Sequence, residues 1–123
     1  MVGEVAWAAD REARERGRVQ MFTAGRPNGL DGWTIALEQY ELLVAAILEA
    51  VDAFADEDGT MRLQAVVEHG QRVLGDHPAF PGGRLTNYVR YTKVDLEARG
   101  VLERVPKSSP QRIRRVRPLL SRP

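Results

Sequence analysis

With 123 residues, a formal net charge of +1, 43% hydrophobic and 28% charged residues, the chain suits one domain with one modest core. The absence of cysteine excludes disulfide staples and thiolate metal sites and suits a reducing compartment. Met1 to Gly17 carries acids where a secretion signal needs a basic segment, and the most apolar run, Leu42 to Leu48, is too short to span a bilayer. A cytoplasmic protein with no membrane partner is expected.

Glu4 to Arg16 has helix-forming composition, with Asp10–Arg14, Arg11–Glu15 and Glu12–Arg16 one turn apart and Gly17 as a stop. Its only sizeable apolar groups are Val5 and Trp7, so a loosely docked extension is expected over 1–17, of marginal length for a helix on its own. The alternative is that Trp7 anchors this arm on a partner or a second copy. Arg18 to Thr23 alternates as a short strand does, and Ala24 to Gly32 reads as a loop.

A first core helix is predicted from Ile35 to Ala55, with Thr34 as N-cap. Tyr40, Leu43, Val44, Ile47, Val51 and Phe54 form its apolar stripe, and Glu38, Glu41, Glu49 and Asp52 form a solvated acidic face. Asp56 to Gly59 reads as an ordinary turn, because the ligand spacing of a calcium loop does not follow. A second helix, Arg62 to Leu74, stops at Gly75. His69 and His77 are neither i,i+3 nor i,i+4 neighbours and have no third ligand beside them, so surface histidines are expected and neither a metal nor a cofactor. Asp76 to Gly83 is a loop with Phe80 tucked under the next helix.

That next helix, Arg84 to Arg99, gathers Leu85, Tyr88, Val89, Thr92 and Leu96 on one side at 100° per residue. Asp95 and Arg99 stand one turn apart and can pair, worth only about 0.2–0.5 kcal/mol. Gly100 ends the helix. Val101 to Val105 and Arg112 to Val116 read as strands split by Pro-Lys-Ser-Ser-Pro, a hairpin whose returning strand is crowded with arginine. The last residues, 118–123, read as a tail, docked if at all through Leu119 and Leu120.

Charge is sorted along the chain. Arg84 to Pro123 holds eleven basic against three acidic residues, a net of +8, and the rest holds seven against fourteen, a net of −7. Such asymmetry points to an acidic partner for the basic half, or to the two halves neutralising each other across the fold.

The run FPGGRLTNYVRYTKVDLEARGVLERV, then SPQRIRR, resembles a family of small uncharacterised bacterial proteins with a winged-helix-like domain. The Gly-Arg-Pro-Asn-Gly loop and the Tyr40-centred helix are similar too, so the resemblance covers Arg18 to Val116. It implies an α+β fold: a mainly helical, winged helix-turn-helix-like domain at 18–117, with three core helices and a C-terminal β-hairpin wing. The wider winged-helix class contains mainly DNA-binding regulators, and also protein-interaction modules; fold does not fix function.

A non-catalytic protein is expected, since Ser-His-Asp ordering, a cysteine nucleophile and paired carboxylates in an apolar setting are all missing from the sequence. The leading expectation is binding to double-stranded DNA. Asn87 and Arg90 would read base edges, Arg84, Thr86 and Lys93 would sit on phosphates, and Lys107, Arg112, Arg114 and Arg115 would bring the wing against backbone or minor groove. Neutralising six to eight phosphates would cost roughly 10³ to 10⁵-fold in affinity between about 50 and 200 mM salt. Against it stands the long 75–83 link, where a compact helix-turn-helix has about three or four residues. The alternative is a protein-interaction module, using Tyr91 and Val94, or a homodimer whose −7 and +8 regions pair head to tail.

Overall fold

The computed structural model describes residues 2–116; the expected tail at 118–123 lies outside them. Helix α1 (Glu4–Glu15) leads into an antiparallel hairpin of β1 (Arg18–Phe22) and β2 (Leu30–Ala36). Then come α2 (Leu37–Phe54), β3 (Thr60–Arg62), α3 (Leu63–Leu74), α4 (Leu85–Ala98), β4 (Leu102–Arg104) and β5 (Arg112–Arg115). A second sheet has the order β3-β5-β4, all antiparallel. The α+β class and the three core helices followed by a hairpin agree with expectation.

The helices follow their apolar periodicity. Tyr40, Leu43, Ala46, Ile47, Ala50 and Val51 of α2 are buried against Val66, Val67 and Leu74 of α3 and Leu85, Val89 and Leu96 of α4. Gly70 lets the last two helices close in: a Cβ there would stand 3.0 Å from Val89 Cγ2. Phe80 is buried and edge-on to Tyr88, with ring centroids 5.8 Å apart. Gly100, at φ 81°, turns the chain out of α4 while the Gly100 and Val101 amides donate to the Glu97 and Leu96 carbonyls.

Several expectations are corrected. The segment 24–32 is not all loop, and the helix does not begin at Ile35. Leu30 to Ala36 pairs with β1 in the register Val19↔Ile35 and Gln20↔Thr34, because Ile35 buries itself as a strand residue beside Val19. Thr34 therefore caps nothing; its hydroxyl accepts from Arg18 Nε at 3.1 Å. Phe54 leaves the stripe for the surface, 59% exposed, and stacks on His69. His69 itself is buried, with Nε2 2.7 Å from Glu49 Oε1. Strand β3, three residues long, had no signal. The Asp56–Gly59 turn that precedes it is held by Asp58 Oδ1, which accepts from the Thr60 amide and hydroxyl.

The amino-terminal helix is not a loose extension. Ala6, Asp10 and Ala13 are buried, and Trp7 stands edge-on to Phe22 of this same chain at 4.9 Å. The carbonyl of Asn28, in the β1–β2 loop, accepts from the Gly3 amide.

Candidate functional site

Burying Leu85, Val89, Thr92 and Leu96 rotates the opposite side of α4 outward. Arg84, Asn87, Arg90 and Tyr91 are exposed, and Arg84 and Arg90 make no ion pair among the described residues. Thr86 is partly buried, its hydroxyl accepting from Gln71 Nε2 of α3. Lys107 is exposed in the β4–β5 turn in a left-handed conformation, φ 60°.

The other four predicted contacts are occupied within the fold. Lys93 is buried, donating to Gln111 Oε1 and lying 2.8 Å from Glu97 Oε1, so it cannot lie on a phosphate as placed. Arg112 pairs with Asp56 and donates to the Thr60 hydroxyl. Arg114 pairs with Glu103 across the hairpin at 2.6 Å, and Arg115 with Asp52 of α2 at 2.6 Å. Strand β3 draws the acidic 52–58 segment alongside β5, which brings Asp56 to Arg112 and Asp52 to Arg115. Two of these pairs, with Asp10–Arg99, join the acidic part of the chain to the basic part. Asp52 and Glu49, expected to be free on α2, both have partners.

Between the hairpin and α4 lies a cleft of about 310 Å³ lined by Trp33, Arg84, Asn87, Tyr88 and Tyr91. Trp33 meets Tyr91 edge-on, centroids 5.2 Å apart and planes at 78°. Tyr91 remains half-exposed, and no carboxylate lines the cleft among the described residues. Trp33 drew no assignment from the sequence, because it falls between the expected loop ending at Gly32 and the expected N-cap Thr34. Its only signal is the Trp33–Thr34–Ile35 alternation. Among the described residues, no cluster of His, Cys, Asp and Glu could hold a metal ion.

A second polar assembly is sealed inside. Arg99 donates from Nε to Asp95 Oδ2 (2.9 Å), from Nη1 to Asp10 Oδ2 (3.0 Å) and from Nη2 to the Gln20 carbonyl (2.8 Å). Asp95, fully buried, also accepts from the Tyr40 hydroxyl at 2.7 Å and the Phe22 amide at 2.8 Å. The guanidinium lies 4.1 Å from the centre of the Phe22 ring. The expected pairing of Asp95 and Arg99 is present, but its small expected worth is corrected: buried, it is the hub joining α1, β1, α2 and α4. Burial pushes the Asp95 carboxyl above its ordinary value, against the pull of Arg99, Tyr40 and the Phe22 amide. Burial raises Asp10 too, but the bonds from Arg99 and Arg14 and the Gln20 amide outweigh it and hold that carboxyl low. Burial and the Asp95 charge push Tyr40 upward. With its polar atoms bonded to one another and its carboxylates buried, the hub has a structural role.

The fold and the exposed face of α4 define a small α+β protein in which no described helix is long and apolar enough to cross a membrane. The chain belongs to a family of unknown function, DUF6958, matched over residues 18–113. All five cleft residues fall inside the match, and Asp10 falls outside it. No curated protein and no solved structure matches the chain.

Proposed function

We propose that the chain is a non-catalytic interaction module that docks a partner protein on the outer face of α4 and the adjoining β1–β2 hairpin. The observation that carries this reading is the division of the charges. Lys93, Arg112, Arg114 and Arg115 are engaged within the fold, so of the expected contacts the exposed groups are Arg84, Arg90 and, in the β4–β5 turn, Lys107, with an asparagine and an aromatic cleft. Aromatic residues and arginine are the side chains that most often anchor protein contacts. The order helix–strand–helix–helix–hairpin, with β3 added to the free edge of β5, supports a winged-helix-like arrangement. That class serves both kinds of partner.

DNA binding is the second reading, favoured by the succession of Arg84, Asn87 and Arg90 on the exposed side of α4. Arginine pairs with guanine edges and asparagine with adenine. A head-to-tail homodimer is less well supported, because three charge pairs that would have driven it close within one chain.

Selection of random peptides on the immobilised full-length chain tests the proposal, with Arg84→Glu and Tyr91→Ala as parallel baits. Enriched sequences that share acidic and aromatic residues, and are lost with both baits, are the expected result. Random duplex DNA that binds where no peptide is enriched would overturn it.

A further inference from the structure

We infer that the cleft between the β1–β2 hairpin and α4 receives an aromatic side chain that lies next to a carboxylate on the docked segment. This rests on the docking reading above and specifies its occupant. Trp33, Tyr88 and Tyr91 offer ring faces and edges, which favour a planar apolar insert over a branched one. At about 310 Å³ the space is at the lower end of the range for small-ligand pockets, roughly 300–1,000 Å³, and suits one large side chain.

The polar groups narrow the choice. Arg84 presents an exposed guanidinium at the rim, with no acid among the described lining residues and no ion pair among the described residues. A guanidinium holds a carboxylate through two parallel N–H donors, a fit that neutral groups do not reproduce. The Asn87 carboxamide, one turn along, both donates and accepts, and can bond the peptide group between ring and carboxylate.

A stacked nucleobase would use the same rings, but a nucleic-acid strand brings a phosphate with every base and needs cations in series along its track. The nearest candidates do not form one. Arg90 lies six positions after Arg84, about 120° around the helix from it. Lys93 is buried against Gln111 and Glu97. The arginines of β5 are paired. One anionic group beside one ring is the chemistry that the cleft accommodates.

The test is two-dimensional NMR of the full chain, following the Trp33 indole N–H and the amides of 84–94 during titration with N-acetyl-Phe-Glu-amide. Saturable shifts with a dissociation constant on the order of 1 mM or tighter are expected. Arg84→Gln, or glutamine in place of the peptide glutamate, should weaken binding roughly tenfold, the scale of one lost charge-assisted hydrogen bond. Tyr91→Ala should weaken it too, at a half-exposed site where folding tolerates the change. Absence of saturation, or equal affinity for the Phe-Glu and Phe-Gln peptides, would overturn the inference. Shifts confined to Arg90 and Val94 that spare Trp33 would overturn it and leave the docking reading standing. Shifts produced by duplex DNA alone would overturn both.

Discussion

Replacing Arg99 with alanine removes the hub of the fold, and the structure fixes how much should follow. Three donor contacts to Asp95, Asp10 and the Gln20 carbonyl disappear, and two carboxylates, both more than nine-tenths buried, lose their shared cation. Removing one partner of a buried ion pair costs about 3–5 kcal/mol, because the other charge is left uncompensated. Domains of this size have only about 5–15 kcal/mol in total. At roughly 4 °C per kcal/mol, the midpoint of thermal unfolding should fall by about 12–20 °C. Arg114→Ala is the control. Its pair with Glu103 is 43% and 47% exposed, a setting worth about 0–1 kcal/mol. Thermal and urea unfolding followed by circular dichroism would compare the two. Equal losses, within about 0.5 kcal/mol, would refute the idea that Asp95–Arg99–Asp10 works as a buried unit.

Asp10 and Asp95 should give opposite pH dependences. The folded value of Asp10 is depressed, so its contribution is present above the ordinary 3.8 and lost as pH falls through the lower folded value; the cost of Asp10→Asn, measured by urea unfolding, should vanish in acid. The folded value of Asp95 is raised, so its contribution is complete below 3.8 and lost as pH rises through the folded value; the cost of Asp95→Asn should shrink as pH rises over that window. Gly29→Ala should cost roughly 1–2 kcal/mol in chemical denaturation, since φ is 76° and the added Cβ would lie 2.7 Å from Val2 Cγ2. Ile113→Ala, fully buried in the central strand β5, should cost about 2–5 kcal/mol in the same assay.

The three core helices were legible because each carries its own apolar period over three or more turns. Their observed ends lie within two residues of the expected ones. The hairpin β4–β5 was legible from its turn residues, and β5 ends at Arg115, one residue short of the expected Val116. What escaped depends on distant partners. Thr60–Met61–Arg62 is too short for any period, and only β5 makes it a strand. Leu30 to Ala36 looked like loop and helix start until β1 supplied its ladder. The spacing of Asp95 and Arg99 was visible, but their burial depends on Asp10, 85 positions before Asp95, and on Tyr40. Missing β3 also hid the acids facing Arg112 and Arg115. Arg84, Asn87 and Arg90 could be placed on the exposed side of α4 from helical geometry alone. Trp33, which gives the cleft its second wall, could not.

The salt dependence of duplex binding tests the account most directly, measured by fluorescence anisotropy between about 50 and 200 mM for wild type and an Arg114→Gln, Arg115→Gln variant. Of the expected DNA contacts, Arg84, Arg90 and Lys107 are the basic side chains outside ion pairs among the described residues, so they could neutralise at most three phosphates. Three neutralised phosphates give a logarithmic slope of about −2.7, a loss of about 40-fold across that range. The account predicts no measurable binding, or weak binding with a slope no steeper than about −3 that the variant leaves unchanged. A slope near −6 that flattens by about 2 in the variant would mean that those arginines leave their carboxylates for phosphates, and would contradict it.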